Sequence, residues 1–386
     1  MPRTPQKTLR FTNLYLENWR NFSKVDIDLQ RRVFLVGPNA SGKSNFLDVF
    51  RFLQSIVSVG GGFQEAVRTR GSVSSLRCLA ARQYSDIVIK VQIGNESNAN
   101  LWSYYLKFNQ DRQRAQVIRE EKVEENGVII INRPDEGDKS DRFRLSQTYL
   151  EQVQANKNFR EVADFLLTAR YLHIVPQLVR EPDRSVGKKN DPYGGDFLEQ
   201  IAGTRKDTQE SRLRLICDAL RIAVPQLSEL KIGRDQRGTP HLLGRYLNWR
   251  PHGQWQNEER FSDGTLRLLG LLWVALDGSG PLLLEEPELS LHPEVVRVIP
   301  QMFARLQRKT GRQILISTHS PDLLQDKGIG LDELLVLMPD QEGSTVKAAS
   351  AIDGIKLLME GAASPADILI PYTKPKDVGQ LMLKLG

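Results

Sequence analysis

The run Gly37-Pro38-Asn39-Ala40-Ser41-Gly42-Lys43-Ser44 has the GxxxxGK[ST] spacing of a phosphate-binding loop. Such a loop needs glycine because its backbone N–H groups must curl inward around phosphate oxygens, at the positive end of the helix that follows. In that arrangement Gly37, Asn39, Ala40, Ser41 and Gly42 line the phosphates. Lys43 meets the β and γ phosphates of a nucleoside triphosphate, and the Ser44 hydroxyl ligates Mg2+. A plain glycine turn is the competing reading; a strand before the loop and a helix after it argue against that.

A second group is Leu282-Leu283-Leu284-Glu285-Glu286-Pro287-Glu288, an apolar run that closes in acid. It reads as a buried parallel strand whose carboxyl end faces a ligand crevice, the Walker B geometry. Glu285 would hold Mg2+ directly or through water, and Glu286 would orient and deprotonate an attacking water. An acidic surface turn is the alternative. Upstream, Phe261-Ser262-Asp263-Gly264-Thr265 precedes an apolar helical segment, where Ser262 or Asp263 could serve as an N-cap. Downstream, a strand over 313–317 ends in Thr318-His319-Ser320-Pro321.

The elements that must position these residues follow from periodicity. Strands are expected over 11–16, 25–29 and 33–36, the last running into the glycine loop, and helical spacing covers 45–57 before Gly60-Gly61-Gly62 stops it. Alternating segments over 86–93, 102–108, 116–123 and 128–131, with Asn126-Gly127 placed as a hairpin turn, predict an antiparallel sheet. The charged stretch 133–144, with Pro134 and Gly137, reads as an exposed loop. Helices are expected over 148–169 and 209–222, with an extended piece at 171–175. Near residue 260 the βα alternation of a parallel sheet resumes. Interruptions at Pro176, Pro182, Pro192, Pro225 and Pro240 exclude long coiled-coil arms.

Bulk properties fit a folded protein: 386 residues, 40% hydrophobic and 26% charged. The net charge of +6 suits an anionic partner, nucleic acid or the nucleotide itself, or is simply a soluble surface. Cys78 and Cys217 are too few for a disulfide framework or a cysteine-based zinc site, which fits a reducing cytoplasm. The basic start has no apolar stretch behind it, so a secretory signal is not expected. The longest apolar run, 268–276, is far short of the roughly 20 residues of a membrane-spanning helix.

In their order along the chain, these motifs resemble the ABC-type P-loop ATPases of the SMC, RecF and OLD group. The opening Leu14-x-Leu16-x-Asn18-x-Arg20-x-Phe22 is similar to a RecF-type start, and Glu285-Glu286-Pro287-Glu288-Leu289-Ser290-Leu291-His292-Pro293 resembles the EEPE-x-x-LHP form of OLD-like bacterial ATPases. The resemblance implies an α/β ABC-ATPase head with a mostly parallel RecA-like core sheet, an N-terminal antiparallel β subdomain and an inserted helical lobe. On that plan 11–83 and 260–340 form the nucleotide-binding core, 84–132 the antiparallel region, 133–250 the helical lobe and 341–386 a C-terminal extension of one ATPase domain.

It also implies ATP and Mg2+ as ligands, and a homodimer in which Ser262 and Gly264 of one subunit cap the γ-phosphate bound by the other. Asp263 and Thr265 depart from the transporter form of that signature. His319 would be the switch histidine at the γ-phosphate, and Gln177 the glutamine-loop ligand of Mg2+ or an ordinary loop residue. His292 could sit at a dimer interface or start a helix, and Arg68, Arg70 and Arg77 could reach phosphate or DNA or form a solvated face. Only 386 − 319 = 67 residues follow His319, with no Asp-x-Asp pair of a TOPRIM nuclease. The expected partners are therefore double-stranded DNA or a separately supplied nuclease or toxin, not a membrane. A transporter ATPase subunit and a non-hydrolysing ATP-dependent scaffold are the alternatives.

Overall fold

A computed structural model of the chain describes residues 8–81, 85–185, 191, 193–247, 253–353, 355 and 364–373. Pro192, the expected boundaries at 83, 84 and 250, and 354, 356–363 and 374–386 of the expected C-terminal extension lie outside the described residues. The chain divides into two compact units: Met1–Ala169 with Ser279–Leu283 and Pro300–Gly386, and Arg170–Gly278 with Leu284–Ile299.

The larger unit holds a six-stranded antiparallel sheet in the order Phe22–Asp28, Arg10–Trp19, Ile87–Gly94, Trp102–Gln110, Gln116–Glu125, Val128–Arg133. Its inner face is written in strict alternation: Ile87, Ile89, Val91 and Ile93 are all fully buried, as are Tyr104, Leu106 and Phe108. The turn at Asn126 and Gly127 has both residues at positive φ, the conformation that a two-residue hairpin needs. The first two strands, assigned to the nucleotide core on sequence, are hydrogen-bonded into this sheet instead, Leu14 pairing with Ile27 on one side and Val91 on the other.

The same unit contains a parallel arrangement built on Arg32–Val36, which pairs in parallel with both Ile314–Thr318 and Leu334–Asp340; Gly343–Ala348 joins antiparallel at the edge. Leu282 donates its N–H to Gln313 O, adding the start of the next strand. Arg32–Val36 and Ile314–Thr318 are buried at every residue, the run expected of strands covered on both faces.

The helix Lys43–Val57 is buried on nearly all sides and inserts its aromatics between these layers: Phe50 meets Phe11 at 4.5 Å, and Phe52 stacks on Phe108 at 5.6 Å. Gln313, 1% exposed, joins the layers through backbone groups: its Oε1 accepts from Phe11 N at 2.9 Å, and its Nε2 donates to Phe11 O and Gln30 O.

Residues 133–144 are mostly exposed, as expected, but form short helical turns, Glu136–Ser140 and Arg142–Ser146, anchored by two buried residues, Arg133 and Asp138. Arg133 is 1% exposed, donates through Nε and Nη2 to the two oxygens of Asp138 and through Nη1 to Glu121 Oε2 at 2.8 Å, and lies 3.8 Å over the ring of Tyr149. Glu121 also accepts from the N–H groups of Tyr149 and Leu150 and from the Tyr104 hydroxyl; burial still pushes its pKa up against these donors and Arg133. Residues 148–169 are not one helix: a 3-10 turn at Ala155–Phe159 precedes a short helix, Arg160–Leu167.

The smaller unit contains the strand Arg170–Leu172, helices Pro176–Val179, Phe197–Ala202, Lys206–Leu220 and Asp263–Leu276, and a three-stranded antiparallel sheet ordered Gln254–Asn257, Pro240–Tyr246, Leu227–Arg234. That sheet adds strands to the stretch expected as a helical lobe. A bulge between Arg245 and Tyr246 breaks the alternation that would have marked it. Its buried Glu258 accepts from Leu242 N and meets His241 Nδ1 at 2.6 Å; burial alone would lower the His241 pKa, but Glu258 and Asp235 raise it overall.

Two stability predictions follow from the larger unit. Arg133→Ala leaves two buried carboxylates uncompensated and should destabilise the unit by about 3–5 kcal/mol in chemical denaturation. Glu151, whose Oε2 accepts from Phe63 N, is pushed up to about 7 by burial. Its protonated form is favoured by the fold, so this contribution to stability is present below about pH 4.5 and is lost as pH rises through about 7. Glu151→Gln should therefore gain ~1–3 kcal/mol over wild type at pH 8, after discounting for solvent screening, and nothing at pH 4, read from melts at both values.

Candidate functional site

In the larger unit, the strand Arg32–Val36 delivers the chain to Gly37 with no room for a side chain: a Cβ there would lie 2.6 Å from Leu337 O and 2.7 Å from Ser41 Oγ. Ala40 and Gly42 take positive φ, 62° and 99°, turning the loop back on itself before Phe46 N–H bonds to Gly42 O and the helix begins. A Cβ on Gly42 would meet Asn21 Nδ2 at 2.2 Å. Asn21 fills that space as a strut: it donates to Ser41 O and Ser344 Oγ, and its Oδ1 accepts from Asn45. Asn39, Ala40 and Ser44 are exposed, whereas Ser41 is fully buried with a hydroxyl lacking a hydrogen-bond partner. Lys43, 6% exposed, donates to Gly37 O at 2.9 Å and Pro38 O at 3.1 Å, so its ammonium is held across the mouth of the loop.

His319 belongs to the same group. Thr318 pairs with Val36 in the parallel register of adjacent strands, so His319 and Gly37 are the next residues out of the same carboxyl end. The His319 side chain is exposed, and the turn after it is fixed by Ser320 N–H donating to Thr318 Oγ1.

Behind the loop, Asp48 on the first helix is gripped by Arg70 through three hydrogen bonds and by Arg20 through one. Burial alone would raise its pKa; Arg70, with Arg51 and Arg20, holds it below the usual carboxylate range. Arg70 is thus committed to an internal pair, Arg68 pairs with Glu65 at the surface, and the Arg77 backbone bridges to Trp19.

In the smaller unit, the chain leaves Glu285 and turns sharply. Glu286 and Ser290 both have positive φ, 43° and 61°, which costs a non-glycine residue of order 1–3 kcal/mol and is a strain typical of working sites. The Glu285 carboxylate accepts from the Tyr171 hydroxyl, and His173 Nδ1 lies 3.3 Å from Glu285 O. Sequence reasoning gave neither residue a role. Gln177 is exposed on the short helix Pro176–Val179.

Ser262 caps the helix Asp263–Leu276, accepting from Thr265 N at 3.2 Å and meeting Thr265 Oγ1 at 2.8 Å. Gly264 is required by packing, since a Cβ would come within 2.5 Å of Ser290 O. Arg180 clasps the turn from the side, donating to Phe261 O and Asp263 Oδ1. Arg267, one helical turn on, has a buried Nε without a hydrogen-bond partner; burial lowers its pKa against the pull of Asp263, Glu286 and Glu288. His292 is a helix-start residue: exposed, it accepts from Glu294 N through Nδ1.

These donors fit Mg-ATP. Packing at Gly37 and Gly42 excludes side chains from the loop, as a phosphate cradle made of backbone N–H groups requires; in the larger unit Ser44 offers an oxygen of the kind Mg2+ takes, and in the smaller unit so does Glu285. Among the described residues no three His, Cys, Asp or Glu side chains cluster as a metal cage. Among the described residues no helix is long and apolar enough to cross a membrane.

Comparison with known proteins agrees with this geometry. Residues 32–325 match the family described as "AAA domain, putative AbiEii toxin, Type IV TA system". The chain is 22% identical over 358 residues to Endonuclease GajA of Bacillus cereus (strain VD045), covering 82% of this chain and 57% of that one. It is 29% identical over 106 residues to the DNA replication and repair protein RecF of Synechocystis, covering 27% of this chain and 26% of RecF. It therefore spans little more than half of the first of these curated relatives and about a quarter of the second. Among solved structures, an SMC head bound to the C-terminal winged-helix domain of ScpA superposes with a TM-score of 0.52 at 13% identity, covering 87% of this chain and 96% of that one. An SMC head with an extended coiled coil, bound to a ScpA domain from Pyrococcus furiosus, gives 0.50 at 13% identity, covering 92% and 100%. With the family match running from the strand before the glycine loop to beyond His319, the chain belongs to this AAA family and is a P-loop ABC-type ATPase of the SMC, RecF and OLD group with an SMC-head-like fold.

Proposed function

We propose that the chain binds Mg-ATP on its glycine loop, closes with a second copy into a two-site dimer, and hydrolyses the nucleotide to reopen it. The observation that carries this reading is the pairing of Thr318 with Val36, which sends the phosphate loop and His319 out of one sheet edge side by side. Gly37, Asn39, Ala40, Ser41 and Gly42 supply the backbone cradle, Lys43 exchanges its contacts with Gly37 O and Pro38 O for phosphate oxygens, and His319 meets the γ-phosphate. Ser44 and Glu285, with Gln177 as a further candidate, would hold Mg2+, whose charge neutralises that developing on the phosphates. Glu286 accepts the proton of the attacking water. Its strained backbone supports this role, because a residue held at φ 43° is aimed by the fold and not by its own preference.

Ser262 and Gly264 are proposed to cap the nucleotide held by the second copy. The close approach of Gly264 to Ser290 O supports a shared movement of that cap and of the loop after Glu286. The relatives bear the names of an endonuclease and of a DNA replication and repair protein. By analogy, the closed dimer is proposed to grip duplex DNA or to restrain a separate nuclease or toxin effector, in DNA maintenance or phage defence. A non-hydrolysing scaffold would have no need for a general base at Glu286, and a transporter ATPase subunit is disfavoured by Asp263 and Thr265, which depart from the transporter signature, and by the segment Glu285 to Pro293.

Lys43→Ala should weaken ATP binding at least ~10–100-fold by removing charge-assisted bonds to phosphate, as measured by calorimetry. Glu286→Gln should bind ATP normally and turn it over about 10²–10⁴ times more slowly. It should also double in mass with Mg-ATP in light scattering. Wild-type turnover by Glu286→Gln would reject the base assignment, and an unchanged mass with bound nucleotide would reject the dimer.

A further inference from the structure

The smaller unit places a phenol on the carboxylate assigned to the metal. The strand Arg170–Leu172 pairs with the strand that ends in Glu285, and two alternate residues of this segment close on that one glutamate. Tyr171 donates its hydroxyl to Glu285 Oε2, and His173 Nδ1 lies 3.3 Å from Glu285 O. The His173 ring is itself seated edge-on against Tyr193, with centroids 6.0 Å apart. Side chain and backbone of Glu285 are therefore held at once, just before the chain turns into the positive-φ residue Glu286.

We propose that Tyr171 is a positioning residue that fixes the Glu285 carboxylate in the orientation that receives the divalent metal of the nucleotide. This rests on the reading of Glu285 as the metal carboxylate. A carboxylate has about four lone-pair directions, so one oxygen can take a phenol while the group still ligates a metal. The hydroxyl is neutral, so it orients the carboxylate without neutralising the charge the metal needs. Hydrogen-bond partners of metal ligands act in this way, and their loss typically costs 10–100-fold in metal affinity. The phenol ring supplies the rest: Tyr171 is half-buried, so its direction is set by the packed strand and not by solvent.

The test is a Mn2+ titration by electron paramagnetic resonance on protein saturated with a non-hydrolysable ATP analogue, run on wild type, Tyr171→Phe and Glu285→Gln. Binding of a fluorescent ATP analogue in EDTA and a thermal melt serve as controls. Tyr171→Phe keeps the ring and removes only the hydroxyl. It should weaken Mn2+ binding about tenfold while leaving metal-free nucleotide affinity and the melt unchanged. Weakening in Glu285→Gln but not in Tyr171→Phe would overturn the proposal and leave the metal carboxylate standing. Tighter Mn2+ binding in Tyr171→Phe would overturn it too, since the phenol would then be competing with the metal. No weakening in either variant would remove Glu285 as the metal ligand and the proposal with it.

Discussion

The structure depends on a lack of room at two glycines. Gly37 passes 2.6 Å, at its missing Cβ, from a carbonyl of the neighbouring strand, and Gly42 passes 2.2 Å from the amide of Asn21. These approaches force the loop to present N–H groups instead of side chains. They also determine its surroundings: Leu337 must lie on a parallel neighbour of Arg32–Val36, and Asn21 must sit at the hairpin between the first two strands, where it can brace Ser41 and Ser344 together. The antiparallel sheet thus has a direct mechanical relation to the loop through one amide.

Charge inside the larger unit is handled in one consistent way. Asp48 and Glu121 are both buried, and each is met by arginine in directed geometry: Arg70 and Arg20 on the first, Arg133 on the second. Such groups contribute little net stability over apolar packing but are costly to leave half-paired, so they fix which partner each segment meets. For Asp48 the result is that the back of the loop helix is tied to the segment after Gly60-Gly61-Gly62, and the helix is held from outside the nucleotide side.

What could be read in the sequence was local. The loop spacing, the alternation of Ile87, Ile89, Val91 and Ile93, the Asn126-Gly127 turn and the capping residue before the apolar helix each depend on near neighbours, and each has its expected structure. What could not be read depended on distance. Asn21 gains its role from Ser344, 323 residues away, and Tyr171 from Glu285, 114 residues away. Arg133 looked solvated because its stretch is charged, and only the fold reveals that it is buried between two carboxylates. The sheet over Leu227–Asn257 was hidden by short strands, a bulge, and the proline and glycine within Pro240–Tyr246. Gln177 was placed by chain order alone; Tyr171 and His173, a few positions earlier in the same segment, reach Glu285.

The amide staple of Gln313 on Phe11 has a consequence for how the protein comes into being. The two residues are 302 apart, and both parallel neighbours of the loop strand are contributed by the same late stretch of chain. On a ribosome adding about 5–20 residues per second, the early strands must wait some 15–60 seconds for the segment that completes them. During that time Phe11 keeps unpaired backbone groups and the loop strand has open edges on both sides, a state that favours mispairing with other chains. The strand that leads into the glycine loop is therefore completed late in synthesis, when residues 314–318 and 334–336 take their places on either side of it.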